Sequence, residues 1–251
     1  MRGIENQEHE LGQESLLTKE DGTEILPRRL TWVDLFYALL GIVVLYLGVG
    51  YVMAWIAGWW EYERILLYVN GFITQGMFLV VILAIMRVRK WTWSDLGWKG
   101  VKGRYAGSVL AFYALTWIIN IFYAAYLFQK GFTPPETDIY SKLLGNATVV
   151  TFCLNLILAG ILAPIIEETM FRGIIFGSLQ TYMGKWTAAG VSAAIFSGLH
   201  LQSYGFIPRF VLGMVLAYLV MKHKSIKPAV ALHAVNNIVA LLLVALSEGL
   251  L

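Results

Sequence analysis

The stretch LILAGILAPIIEETMFRGIIFG, residues 156–177, decides how this chain is read. It is apolar enough to belong in a membrane, yet near its centre stand two adjacent carboxylates, Glu167 and Glu168, followed by Arg172. A charge at the bilayer centre costs roughly 2.5–3.5 kcal/mol on insertion scales, so ionisable residues placed there are functional candidates by default.

The composition around this stretch favours a membrane setting. The chain has 251 residues, 58% hydrophobic and only 14% charged, with a mean hydropathy of +0.66. A soluble domain carries about 25% charged residues. The apolar residues come in long runs rather than on short periodic faces, the mark of a multi-span protein. Runs at about 32–58, 65–86, 106–128, 147–183, 187–201, 207–222 and 227–247 predict an all-α polytopic bundle of seven spans, or eight if residues 133–146 form an amphipathic or re-entrant segment. Read as organisation, residues 1–30 are a polar tail, 31–130 the N-terminal transmembrane helices and 147–247 a C-terminal transmembrane core that holds the two acids.

Several classes fall away. The net charge of +3 does not mark a nucleic-acid binder, because the basic residues sit at the ends of apolar runs and no Gly-rich phosphate loop is present. The single cysteine, Cys153, allows neither an intramolecular disulfide nor a cysteine-based zinc site. The first thirty residues lack the basic-then-apolar order of a signal peptide and read as a flexible cytoplasmic tail.

Loop charge predicts orientation. The 87–104 connection carries Arg87, Arg89, Lys90, Lys99, Lys102 and Arg104, whereas 59–64 carries only Arg64 among bases. The 87–104 loop is therefore expected inside, with the N-terminus, Lys185, Lys222, Lys224 and Lys227, in a multi-pass protein of the cell membrane.

After residue 31, the ionisable residues well inside apolar runs are Glu167, Glu168, Arg172, His200 and His233. Asp34, at the start of the first span, is expected to reach the interface. Glu168 and Arg172, four apart, share a helix face and can pair. Glu167 is rotated by about 100° and left free. A poorly solvated free carboxylate suits a general base. Pro164 removes a helix hydrogen bond and is expected to bend the helix, and one straight helix over 147–183 would be about 54 Å long, beyond a hydrocarbon core of about 30 Å. With Gly184 as a hairpin tip, Glu167 lies seventeen residues before it and His200 sixteen after it, so the two reach similar depth. His233 and Asn237, four apart, share a face of the last span. A lone Glu–Arg pair or a lone histidine is often structural. A spare acid, two imidazoles and an amide together suggest hydrolysis.

These residues fall into EExxxR (Glu167 to Arg172), FxxxH (Phe196 to His200) and HxxxN (His233 to Asn237). In that order the pattern resembles the CPBP (CAAX protease and bacteriocin-processing, or Abi) family of intramembrane endopeptidases, over about residues 147–241. The resemblance implies Glu167 as base, His200 orienting the water, Glu168 and Arg172 as a supporting pair, and His233 and Asn237 stabilising the oxyanion. No cofactor is expected, with zinc on the same glutamates and histidines as the alternative. Expected partners are a peptide or protein substrate, lipidated or not, and membrane lipids, in peptide maturation, bacteriocin immunity or CAAX-like processing. The cavity is expected to be accessible from the cytoplasm. Two further readings remain: a proton-coupled transporter, disfavoured because the ionisable groups occupy one half of the chain, and a non-enzymatic scaffold or immunity protein.

Overall fold

The computed structural model describes residues 17–18, 24–25, 30–59, 63–101, 105–132 and 148–247. The expected segment at 133–146 and most of the 1–30 tail lie outside the described residues. The described part is helical apart from a two-residue antiparallel pairing of Leu17–Thr18 with Glu24–Ile25.

Seven helices follow: α1 Trp32–Ala57, α2 Glu63–Arg89, α3 Ala106–Gln129, α4 Val149–Leu179, α5 Lys185–Gly198, α6 Phe206–His223 and α7 Lys227–Ser247. Six are long and apolar enough to cross a membrane. The exception is α5, expected as a span over 187–201. Its fourteen residues span only about 21 Å. It is instead a short element packed on α4 and α6.

Solvation is inverted relative to a soluble protein. On α1, Leu47 is 70% exposed, whereas Arg172 on α4 is 2% exposed and Glu168 is 0% exposed. In a lipid solvent the apolar side chains form the outside, and the polar groups are gathered where protein can satisfy them. Helix α4 is the axis of this arrangement, touching α1, α2, α5, α6 and α7, while α3 packs on α6 and α7.

The basic end is closed by the 90–101 loop. Asp34, rather than reaching the interface, is fully buried. It takes Arg89 Nε at 2.7 Å and Trp91 Nε1 at 3.3 Å, besides the N–H of its own helix cap, Thr31, at 2.7 Å. Burial was hidden from a reading that knew only its position near a span end. The loop then packs on α4. A Cβ at Gly173 would lie 2.7 Å from the Leu96 carbonyl, so only glycine admits this approach. Gly97, at φ +91°, turns the loop so that its carbonyl accepts Ile226 N–H at 2.9 Å.

Candidate active site

Helix α4 does not keep one period. Leu156–Leu162 and Thr169–Phe176 are π-helical, and the α-helical turns Ala163–Glu168 lie between them. Such wide turns recur at functional sites and re-aim the side chains that follow. Pro164 explains part of the pattern. In the first π segment the N–H of Ala163 reaches back five residues to Leu158 O. The next carbonyl, Ala159, would fall to Pro164, which has no N–H. Asn237 Nδ2 supplies the missing donor at 2.8 Å. Pro164 thus accompanies a widened helix with one freed carbonyl, and α7 is tied to that carbonyl through Asn237.

The second π segment contains Arg172, whose Nη1 donates to Glu168 Oε1 at 2.9 Å with both side chains fully buried. Arg172 Nη2 also donates to the Gly213 carbonyl at 3.2 Å. Gly213 has no Cβ to obstruct this; one there would lie 2.8 Å from Ala193 Cβ and 3.1 Å from Arg172 Nη2. His233 Nδ1 lies 2.9 Å from the same Glu168 Oε1. Glu168 therefore joins α4 to α7, while Arg172 joins α4 to α6.

Phe196 sits at the centre of these groups. Its ring lies 4.6 Å from Arg172 Cζ, a cation–π contact, and meets His200 and His233 edge-on at 5.1 and 5.7 Å. The phenylalanine of FxxxH is the apolar wall that sets both imidazoles. His200 Nδ1 is 2.9 Å from the Phe196 carbonyl. A carbonyl only accepts, so Nδ1 carries the hydrogen and Nε2 is the acceptor in the neutral ring.

Glu167 points away from Arg172. Its side chain keeps 14% exposure, its Oε1 accepts Gln75 Nε2 from α2 at 2.8 Å, and its Oε2 is 4.0 Å from His233 Nε2. Sequence reasoning missed Gln75, since it surveyed ionisable residues and Gln75 is neutral. The polar pair Thr74-Gln75 within an apolar run was the available signal.

Glu167, His200, His233 and Asn237 all line one cavity of about 560 Å³, with Gln75 and Arg209 among the other polar walls. Glu168 and Arg172 lie behind it. The arrangement can hold a peptide bond beside a carboxylate and two imidazoles. Among the described residues, no three His, Cys, Asp or Glu side chains gather as a metal-holding group.

The cavity lies along the middle of the bundle. It is lined by α1 from Leu45 to Gly50, by α4 from Leu158 to Phe171, and by the Leu199–Gln202 turn after α5. The basic 90–101 loop packs on α4 at Thr169, within that stretch, and at Gly173, just beyond it. Along α1, α2 and α6 the cavity wall lies mostly in the half remote from this loop, whereas along α4 the two overlap.

Residues 149–239 match the family model described as Type II CAAX prenyl endopeptidase Rce1-like. The chain is 24% identical over 217 residues to the "Putative membrane peptidase YdiL" of Bacillus subtilis (strain 168), covering 83% of this chain and 84% of that one. It is 23% identical over 195 residues to an "Uncharacterized 24.3 kDa protein" of Escherichia coli, covering 72% and 86%. No solved structure matches. The matched segment holds all three motifs and every residue of the Glu167–His200–His233–Asn237 set, and with the similarity to the Bacillus subtilis protein it fits the CPBP family of membrane proteases.

Proposed function

We propose that the chain is an intramembrane endopeptidase in which Glu167 activates the hydrolytic water. The observation that carries this reading is the division of labour between adjacent acids. Glu168 is buried against Arg172 and His233, whereas Glu167 faces the cavity and is held by a neutral amide. A carboxylate kept clear of a cation keeps its oxygens available to a proton.

In this mechanism a water between Glu167 and His200 gives one proton to the Glu167 carboxylate as its oxygen attacks the scissile carbonyl carbon. Its other hydrogen bonds to His200 Nε2. The carbonyl π electrons move to oxygen, forming a tetrahedral oxyanion. His233 and the second amide hydrogen of Asn237 are the donors for that charge. The C–N bond then breaks as the proton held by Glu167 passes to the leaving amine. The mechanism needs no metal. A zinc-dependent reaction on the same residues is the competing reading.

For orientation, the positive loops favour the 87–104 end in the cytoplasm. Glu167 and His233 lie in the halves of α4 and α7 nearer that end, and the cavity extends from them toward the other end along α1, α2 and α6. The test of the protease reading is a peptide-library cleavage assay on purified protein, with and without chelator. Cleavage by wild type that is lost in Glu167→Gln is the expected result.

A further inference from the structure

The cavity contains a cation that the hydrolytic scheme does not use. Arg209, in the first turn of α6, lines the same cavity as Glu167 and His200. Its Nη2 donates to Gln202 Oε1. Its Nη1 is buried with no hydrogen-bond partner, and no carboxylate among the described residues forms an ion pair with it. Among the described residues Glu167 is the sole carboxylate of the cavity walls, and Gln75 holds one of its oxygens.

The chain makes room for this guanidinium. Gly205 lies against it, and a Cβ at that position would collide with Arg209 Nη1 and come within 2.8 Å of Cζ. Any other residue at 205 would displace the side chain. An unneutralised guanidinium at the wall of a membrane-embedded cavity is costly unless a ligand supplies the counter-charge. Arginine also matches the planar, two-oxygen geometry of a carboxylate better than lysine does.

We infer that Arg209, positioned by Gln202 and Gly205, is a specificity-determining residue that binds a carboxylate of the peptide substrate beside the scissile bond. This rests on the protease reading above for the word substrate, but the binding itself does not require turnover. The carboxylate has two sources, the free C-terminus of the peptide or an Asp or Glu side chain near the cut. A C-terminal carboxylate would make the enzyme cut a short, fixed distance from the chain end. A side-chain carboxylate would make it cut internally at acidic sites.

The test uses apolar fluorescent decapeptide libraries in four forms: free acid or C-terminal amide, each with a Glu or a Gln at randomised internal positions. Binding is measured on the full-length Glu167→Gln protein and cleavage on wild type, each with and without Arg209→Gln and Arg209→Lys. The expected result is preference for one carboxylate-bearing form, with Arg209→Gln raising its Kd and KM about 10–100-fold at little change in kcat, as loss of charged hydrogen bonds does. Arg209→Lys should recover part of that loss. The uncharged peptides should be indifferent to both substitutions. Preference lost on amidation identifies the C-terminus, and preference lost on Glu-to-Gln replacement in the peptide identifies a side chain. Equal binding of charged and uncharged peptides, or a preference untouched by Arg209→Gln in protein of unchanged melting temperature, overturns the inference. Arg209-dependent carboxylate binding without any cleavage by wild type would instead keep the subsite and remove the protease reading.

Discussion

Glu168 Oε1 accepts both Arg172 Nη1 and His233 Nδ1 at 2.9 Å, so His233 is tied to the buried ion pair rather than standing apart from it. The pair therefore orients a cavity imidazole as well as bridging helices. Arg172→Ala should lower folded yield and activity together, because the remaining Glu168 charge stays buried, at a cost of about 3–5 kcal/mol for a well-buried pair. Thermal melts in detergent check this. A stable but inactive Arg172→Ala protein would assign Arg172 to substrate instead.

Asn237 bonds the Ala159 carbonyl that Pro164 leaves without a donor. Asn237→Ala should thus have two separable effects. The orphaned buried carbonyl should cost about 1–3 kcal/mol of stability. Loss of an oxyanion donor should lower kcat by about 10²–10³-fold. Restoring the backbone donor by Pro164→Ala in the same chain should recover melting temperature but not kcat. Recovery of both would leave Asn237 a purely structural residue.

Gln75 donates to Glu167 Oε1 across 92 residues of sequence. Gln75→Leu keeps the volume and removes the donor. It should leave the fold intact and lower kcat by about 10-fold, the scale of one hydrogen bond to a charged group. Gln75→Glu should be worse than Gln75→Leu, since a second carboxylate beside Glu167 disturbs the base itself. Equal kcat in all three proteins would show that the bond does not hold the base in its working position.

Much of this site was legible in the sequence, and the limits have physical causes. Spacing gave the Glu168–Arg172 pair because i to i+4 neighbours meet on a helix face. Long apolar runs gave the helices because a span must satisfy its own backbone. The bond from Asn237 to Ala159 was out of reach because an α period was assumed where α4 is π-helical over Leu156–Leu162. Gln75 and Arg209 were passed over, one as neutral and one as lying near a span end. The burial of Asp34 depends on Arg89 and Trp91, which no local pattern places beside it.

Sidedness is open to chemical labelling. In a Cys153→Ser background, Ser94→Cys on the basic loop and Ser203→Cys beside the cavity rim, both exposed positions, should label from opposite sides of intact cells. A membrane-impermeant maleimide applied outside should reach position 203 and spare position 94. The reverse pattern would invert the orientation of the bundle.

The chemistry itself turns on Glu167. Glu167→Gln keeps the shape and can still meet Gln75 through its amide, yet it cannot take a proton from water. It should therefore retain melting temperature and peptide binding while hydrolysis falls by at least about 10²–10⁴-fold, the usual loss of a general base. His200→Ala should lose activity to a similar degree, since the water would lose the acceptor that the Phe196 carbonyl leaves free at Nε2. Glu168→Gln should differ from both by melting early, because it leaves Arg172 without its buried counter-charge. Chelator treatment should leave wild-type turnover unchanged. Loss of activity with chelator and its return on adding zinc would keep the protease and replace the glutamate mechanism. Full turnover by Glu167→Gln would remove this residue as the base.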